Sequence, residues 1–216
     1  MSVFEERNYI CIEGNIGTGK TTLCKMLKQD FNCSLILEQF TDNPFLPLFY
    51  KHPERYAFPV ELFFMTERYK QLQEQLSQGD LFYDFKLSDY FFQKTALFAK
   101  NNLQEDEYKL FLRFFGILDD LFPQPDLVVY LHRPVDQLHQ QIIKRNRKIE
   151  QDITIDYLKN IEKAYFEFFD RKTPFPILIL NIADLDFEQN PAHYKQIKHL
   201  IFHEYAPGIH EIDLAP

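Results

Sequence analysis

The chain has no tryptophan, only 3 cysteines, 3 methionines and 6 glycines in 216 residues. Cys11, Cys24 and Cys33 form no CxxC pair, and an odd count without a secretion-type leader argues for reduced thiols in a cytoplasmic protein. The opening residues MSVFEERNYI carry acids where a leader would carry bases. No uninterrupted apolar run approaches the roughly 18 residues of a membrane span, so no membrane partner is expected. Positive charge is also in deficit: 24 Lys and Arg stand against 32 Asp and Glu, a net charge of -8. Such a field repels polyanions, so a nucleic acid polymer is not an expected partner. The 7 histidines are scattered, and a metal held by side chains alone is not expected. Repeats, low-complexity tracts and linkers are missing too, which makes residues 1–216 one domain.

What the chain does have is bulk, with 23 Phe and 12 Tyr for a core and for a pocket lining. Short apolar runs alternate with helical patterns. Strands are expected at Tyr9–Glu13, Ser34–Glu38, within Leu81–Asp89, at Leu127–Leu131 and at Ile177–Asn181. Helices are expected at Lys20–Phe31, at Ala57–Leu76 (ended by Gln78-Gly79), through Lys100, and at Glu105–Leu121. This order implies an α/β fold: a five-stranded parallel sheet covered by helices on both faces.

Residues 14–22 hold the one motif with unambiguous chemistry. Gly14-Asn15-Ile16-Gly17-Thr18-Gly19-Lys20-Thr21, followed by Thr22, satisfies GxxxxGK[ST] between a strand and a helix. Its backbone N–H groups and the helix N-terminus cradle phosphates, Lys20 reaches the β and γ phosphates, and Thr21 offers a hydroxyl to Mg²⁺. The chain is therefore expected to bind a nucleoside triphosphate with Mg²⁺. No DxxG or NKxD string is present, which disfavours a GTP switch. The cluster Lys144-Arg145-Asn146-Arg147-Lys148 suits a short basic lid, about 144–152, that closes over transferring phosphates.

Together with GNIGTGKTT, the Glu ending the second strand, FYKHPERYAFPVELFFMTERYKQL and IIKRNRKIEQDITIDYL make the sequence resemble the deoxynucleoside kinase family from about Tyr9 to Phe169. The resemblance implies MgATP-dependent phosphorylation of a deoxynucleoside 5′-hydroxyl, and a homodimer packed through helices. It also implies that Glu38 orients or deprotonates that hydroxyl. Tyr50 and Glu150 then hold the sugar 3′-hydroxyl, Arg68 reads the base, and Arg145 and Arg147 stabilise transferred charge. Glu61 stands where the family usually has Gln. Seven residues apart on a helix, about 10.5 Å, Glu61 and Arg68 line one pocket, and a buried Glu61 is expected to meet Arg68 or a donor on the base. Glu67 is expected on the solvated stripe.

One motif departs from the family. Its E-R-S triplet falls on Ser88-Asp89-Tyr90, and its base-reading Asp on Lys94, ahead of LFAKN. Asp89 then supplies the acid for Mg²⁺ and base chemistry, displaced by one position, while the phosphate-touching arginine is missing, leaving Lys94 or Lys86 as substitutes. The rival readings are a nucleoside monophosphate kinase of thymidylate-kinase type and a non-catalytic ATP-binding module. A carboxylate at position 61 accepts hydrogen bonds only, which favours deoxypurines, then deoxycytidine, then thymidine.

Overall fold

A computed structural model describes residues 8–39, 43–76 and 82–214. Six strands form one parallel sheet: β1 (Tyr9–Gly14), β2 (Cys33–Ile36), β3 (Phe85–Ser88), β4 (Leu127–His132), β5 (Pro176–Asn181) and β6 (Gly208–Asp213), in the order β2-β3-β1-β4-β5-β6. The helices are α1 (Lys20–Asp30), α2 (Leu46–Phe49), α3 (Pro53–Leu76), α4 (Lys94–Asn102), α5 (Glu105–Asp119), α6 (Val135–Arg145), α7 (Ile155–Phe169) and α8 (Pro191–Ile201). The expected end of α3 at Gln78-Gly79 lies outside the described residues.

The expectation of five strands is corrected to six. β6 pairs along all of β5, but its sequence GIHEID alternates half-buried and exposed residues, as an edge strand does. Continuous apolar runs identify strands buried on both faces, and β6 has no such run.

Two apolar layers hold the sheet. On one face Ile10, Ile12, Leu23, Leu27, Val129, Leu178 and Ile197 interlock between the strands and helices α1 and α8. On the other, Tyr130, Tyr165, Phe169 and Ile177 join α7 to β4 and β5. β1 lies between β3 and β4, so the chain leaves it in opposite directions along the sheet. Such a reversal opens a crevice at the carboxyl ends of the strands. The ends of β1 and β3, and the residues just after β2, carry the charged groups described next.

Candidate active site

The phosphate loop joins β1 to α1, and its glycines are fixed by what surrounds them. A Cβ on Gly14 would meet Thr18 Oγ1 at 2.7 Å and the Leu131 carbonyl at 2.8 Å. Gly19 caps α1 at φ 94°, a conformation that favours glycine, with the Phe187 ring 2.9 Å from where its Cβ would stand. Ile16 packs against the α6 side of the cleft. Asn15 turns inward, donating from Nδ2 to the Leu158 carbonyl of α7 at 2.8 Å, so it braces the loop. Thr18 is buried and donates to the Asn15 carbonyl at 3.0 Å. Lys20 Nζ donates to the carbonyls of Gly14 (2.8 Å) and Asn15 (3.0 Å). Burial, then the nearby Lys94 charge, lowers the Lys20 pKa to about 8.

Behind the loop the charged groups meet around Glu38. Thr21 Oγ1 donates to Asp89 Oδ2 at 2.5 Å, and the other oxygen of Asp89 accepts the Glu38 backbone N–H at 2.7 Å. Arg68 reaches Glu38 Oε1 through Nε (2.8 Å) and Nη2 (2.5 Å), while Lys94 Nζ donates to Glu38 Oε2 at 2.8 Å. Burial would raise the Glu38 pKa, but Lys94 and Arg68 together outweigh it and hold the carboxyl well below the usual carboxylate range. The third Arg68 nitrogen donates to Thr95 Oγ1 at 2.9 Å. Lys86 is remote: it pairs with Tyr9 at the start of β1 and lines a separate hollow with Asn8 and Asp126.

The structure brings Lys20, Thr21, Glu38, Tyr50, Glu61, Arg68, Asp89, Lys94, Arg145, Arg147 and Glu150 to the walls of one cleft. Its volume is about 820 Å³, counting the open mouth. Tyr50 stands edge-on to Tyr157, with ring centres 6.0 Å apart. Glu150 is buried and receives Arg145 and, at 3.4 Å, Arg147. Gly17, Gly19 and Thr22 border a second hollow on the outer side of the loop, with Arg133, Lys144 and the 183–189 segment. Arg133 secures that segment by donating to the carbonyl of Leu185 at 2.8 Å.

Of the two partners expected for Glu61, Arg68 or a donor on the base, the first is corrected. Glu61 Oε1 accepts from Asn102 Nδ2 at 2.6 Å, while Arg68 is committed to Glu38 and Thr95. The reason is electrostatic: Glu38, fully ionised, draws both buried cations, and Glu61 is left with a neutral donor. Burial raises the Glu61 pKa to about 7, against the Asn102 hydrogen bond. Glu67 sits at the helix surface beside Lys70, 2.7 Å away.

Glu13 escaped the sequence reading. It is fully buried at the end of β1, where Oε1 accepts the Phe91 N–H (3.0 Å) and Oε2 the Tyr165 hydroxyl (2.7 Å). It joins the phosphate loop to the end of β3 and to α7, and burial raises its pKa. An acid inside an apolar strand, next to the loop glycine, was the available signal. Asn102 and Tyr157 were also missed because isolated polar residues on helices carry no spacing code.

A phosphate loop at the switch point of a parallel sheet, with a carboxylate and two cations behind it, defines a P-loop phosphotransferase. Residues 10–205 match the deoxynucleoside kinase family. The chain is 31% identical to a deoxyguanosine kinase of Bacillus subtilis (strain 168) over 197 residues, covering 88% of this chain and 93% of that protein. It is 30% identical to a deoxyadenosine kinase of Dictyostelium discoideum over 191 residues, 85% of this chain and 76% of the other. Among solved structures, a deoxyadenosine kinase from M. mycoides with bound dCTP superposes with a TM-score of 0.75 at 23% identity, covering 89% of this chain and 97% of that one. That likeness shows the fold. The chain belongs to the deoxynucleoside kinase family and is an ATP-dependent phosphotransferase that phosphorylates nucleosides.

Proposed function

We propose that the cleft transfers the γ-phosphate of ATP directly to the 5′-hydroxyl of a deoxynucleoside, with deoxypurines preferred. The observation that carries this reading is Glu38, ionised between Arg68 and Lys94 and pinned through its N–H to the Asp89 that holds Thr21. A carboxylate offers about four lone-pair sites, so Glu38 accepts a substrate hydroxyl while keeping both cations. Its low proton affinity suits a loose transition state, in which the nucleophile is oriented early and loses its proton late.

Lys20 and the loop amides hold the β and γ phosphates. Lys94 stands near enough to Lys20 to lower its pKa, which supports Lys94 as the cation replacing the family's missing arginine. The Thr21 hydroxyl donates to Asp89, leaving its oxygen lone pairs free, and this donor set fits Mg²⁺. Among the described residues no cluster of three His, Cys, Asp or Glu could hold a metal, so phosphates and water complete the shell, as is usual for this ion. When bound, Mg²⁺ neutralises charge on the β and γ oxygens. Arg145 and Arg147 form a lid over the transferring group, and Tyr50 with Glu150 holds the 3′-hydroxyl.

The commitment of Arg68 to Glu38 and Thr95 occupies the arginine that resembles a monophosphate-holding residue, which argues against a monophosphate kinase. A homodimer is supported by α5, whose Leu110, Phe114 and Ile117, with Leu121 beyond its end, form one exposed apolar stripe at helical spacing. The function is tested with labelled ATP and a panel of four deoxynucleosides and their ribose counterparts. Deoxyguanosine and deoxyadenosine should be preferred; preference for thymidine would contradict the base assignment.

A further inference from the structure

Glu61 is 1% exposed, yet only one of its oxygens has a partner. Oε1 is occupied by the Asn102 amide, whereas Oε2 accepts and donates nothing, and the residue lines the cleft together with Phe64 and Asn102. A buried polar atom without a partner is rare in a folded protein, and one lining a ligand cleft is completed when the ligand arrives. Asn102 also fixes the division of labour within the carboxyl. Its N–H occupies Oε1, so a proton on Glu61 resides on Oε2, and the cleft then meets an O–H donor there; without the proton it meets an acceptor.

We propose that Glu61 reads the nucleobase through Oε2 in two forms, as a carboxylate for an edge that only donates and as a neutral acid, donating its O–H, for an edge that offers a ring-nitrogen acceptor. The first edge is the N1–H and N2 amine of guanine. The second is a ring nitrogen of adenine, which accepts the Oε2 O–H as it would accept an amide N–H. The proposal rests on the deoxynucleoside reading of the cleft, and makes it a site whose base preference is set by pH.

Both forms are accessible near neutrality. The groups acting on Glu61 are Arg68 on its own helix, Lys94 and Asn102 on α4, Glu38 after β2, Tyr157 on α7 and Tyr50 after α2. Burial and Glu38 favour the neutral acid; Asn102, Arg68 and Lys94 favour the carboxylate, and the balance leaves the pKa at about 7. The sign follows for an acid: the neutral form dominates below that value and the carboxylate above it. The ionised fraction thus rises from about one tenth to about nine tenths between pH 6 and pH 8.

The test measures kcat/KM for deoxyguanosine and deoxyadenosine in competition from about pH 6 to about pH 8, below the ionisation of guanine N1–H and above the protonation of adenine. The deoxyguanosine to deoxyadenosine ratio is expected to rise by about tenfold or more, centred near pH 7, because each mismatched edge leaves a buried group unpaired. Glu61→Gln should flatten the profile and favour deoxyadenosine, since an amide mimics the neutral acid. A wild-type ratio constant within about twofold, with both substrates phosphorylated, overturns the proposal and leaves the function standing. So does a pH-dependent ratio that survives in Glu61→Gln. Failure to phosphorylate either nucleoside at any pH overturns the functional reading itself. Were Glu61→Gln to misfold, the wild-type profile alone would still decide.

Discussion

At the residue scale the site is a chain of neutralised charges, and each link predicts a different kinetic defect. Lys20 lies at the loop surface of the cleft and supports no core packing, so Lys20→Ala should fold normally while transfer falls on the order of 10²-fold or more; circular dichroism and labelled-ATP turnover check both halves. Glu38→Gln keeps a hydrogen-bond acceptor but gives up the charge that Arg68 and Lys94 share. Its kcat should drop roughly 10² to 10⁴-fold with a small change in nucleoside KM. Asp89→Asn should instead raise the Mg²⁺ concentration needed for half-maximal rate, because Asp89 faces Thr21 and touches Glu38 only through its backbone. Normal Mg²⁺ titration of Asp89→Asn beside a severe kcat loss would move the hydroxyl-orienting role to Asp89. Most of these residues were legible because they sit in motifs. Glu61, Arg68 and Lys94 line one cleft, but that Arg68 pairs with Glu38 and not with Glu61 was not legible, since sequence gives neighbours along a helix and not the order in which buried charges choose partners.

At the scale of elements, helix α3 departs most from simple patterning. Its inward face carries Val60, Met65 and Leu72 together with Glu61 and Arg68, so hydrophobic spacing alone would assign the two charged residues to solvent. The basic segment that follows α6 is the other element whose arrangement exceeds its pattern. A left-handed Asn146 (φ 53°) ends α6, and the chain turns so that Arg145 and Arg147 both face Glu150. Glu150 compensates both guanidinium charges within the segment, and the proposed lid role requires an incoming phosphate to compete with Glu150 for them. Arg145→Ala and Arg147→Ala should therefore each lower kcat, on the order of 10²-fold for a lost transition-state donor, while nucleoside KM changes little. Steady-state kinetics with normal kcat for both would return the arginines to a solvated helix end. Five strands were visible as apolar runs; β6 was hidden because an edge strand needs only one buried face, and only Ile212 of its residues packs on the core.

At the scale of the whole molecule, the parallel sheet was legible from strand and helix alternation, whereas its reversal at β1 was not, because alternation does not give strand order. The joining of distant parts was not legible either: Glu13 linking β1, the end of β3 and α7 spans 152 positions in the chain. The exposed stripe on α5 extends the account beyond one protomer. Ile117→Glu places a charge in its centre, where Ile117 is 68% exposed, so the fold should be retained while a dimer dissociates. Sedimentation at several concentrations checks this, and a wild type that is monomeric throughout would contradict the dimer. The central claim is that this cleft phosphorylates a nucleoside hydroxyl and not a nucleotide phosphate. It is tested most directly by offering γ-labelled ATP with deoxyguanosine and, separately, with deoxyguanosine 5′-monophosphate, and identifying the labelled product. Label appearing in the 5′-monophosphate from the nucleoside, with none transferred to the monophosphate acceptor, is the predicted result; label passing to the monophosphate acceptor while the nucleoside stays unlabelled would contradict it.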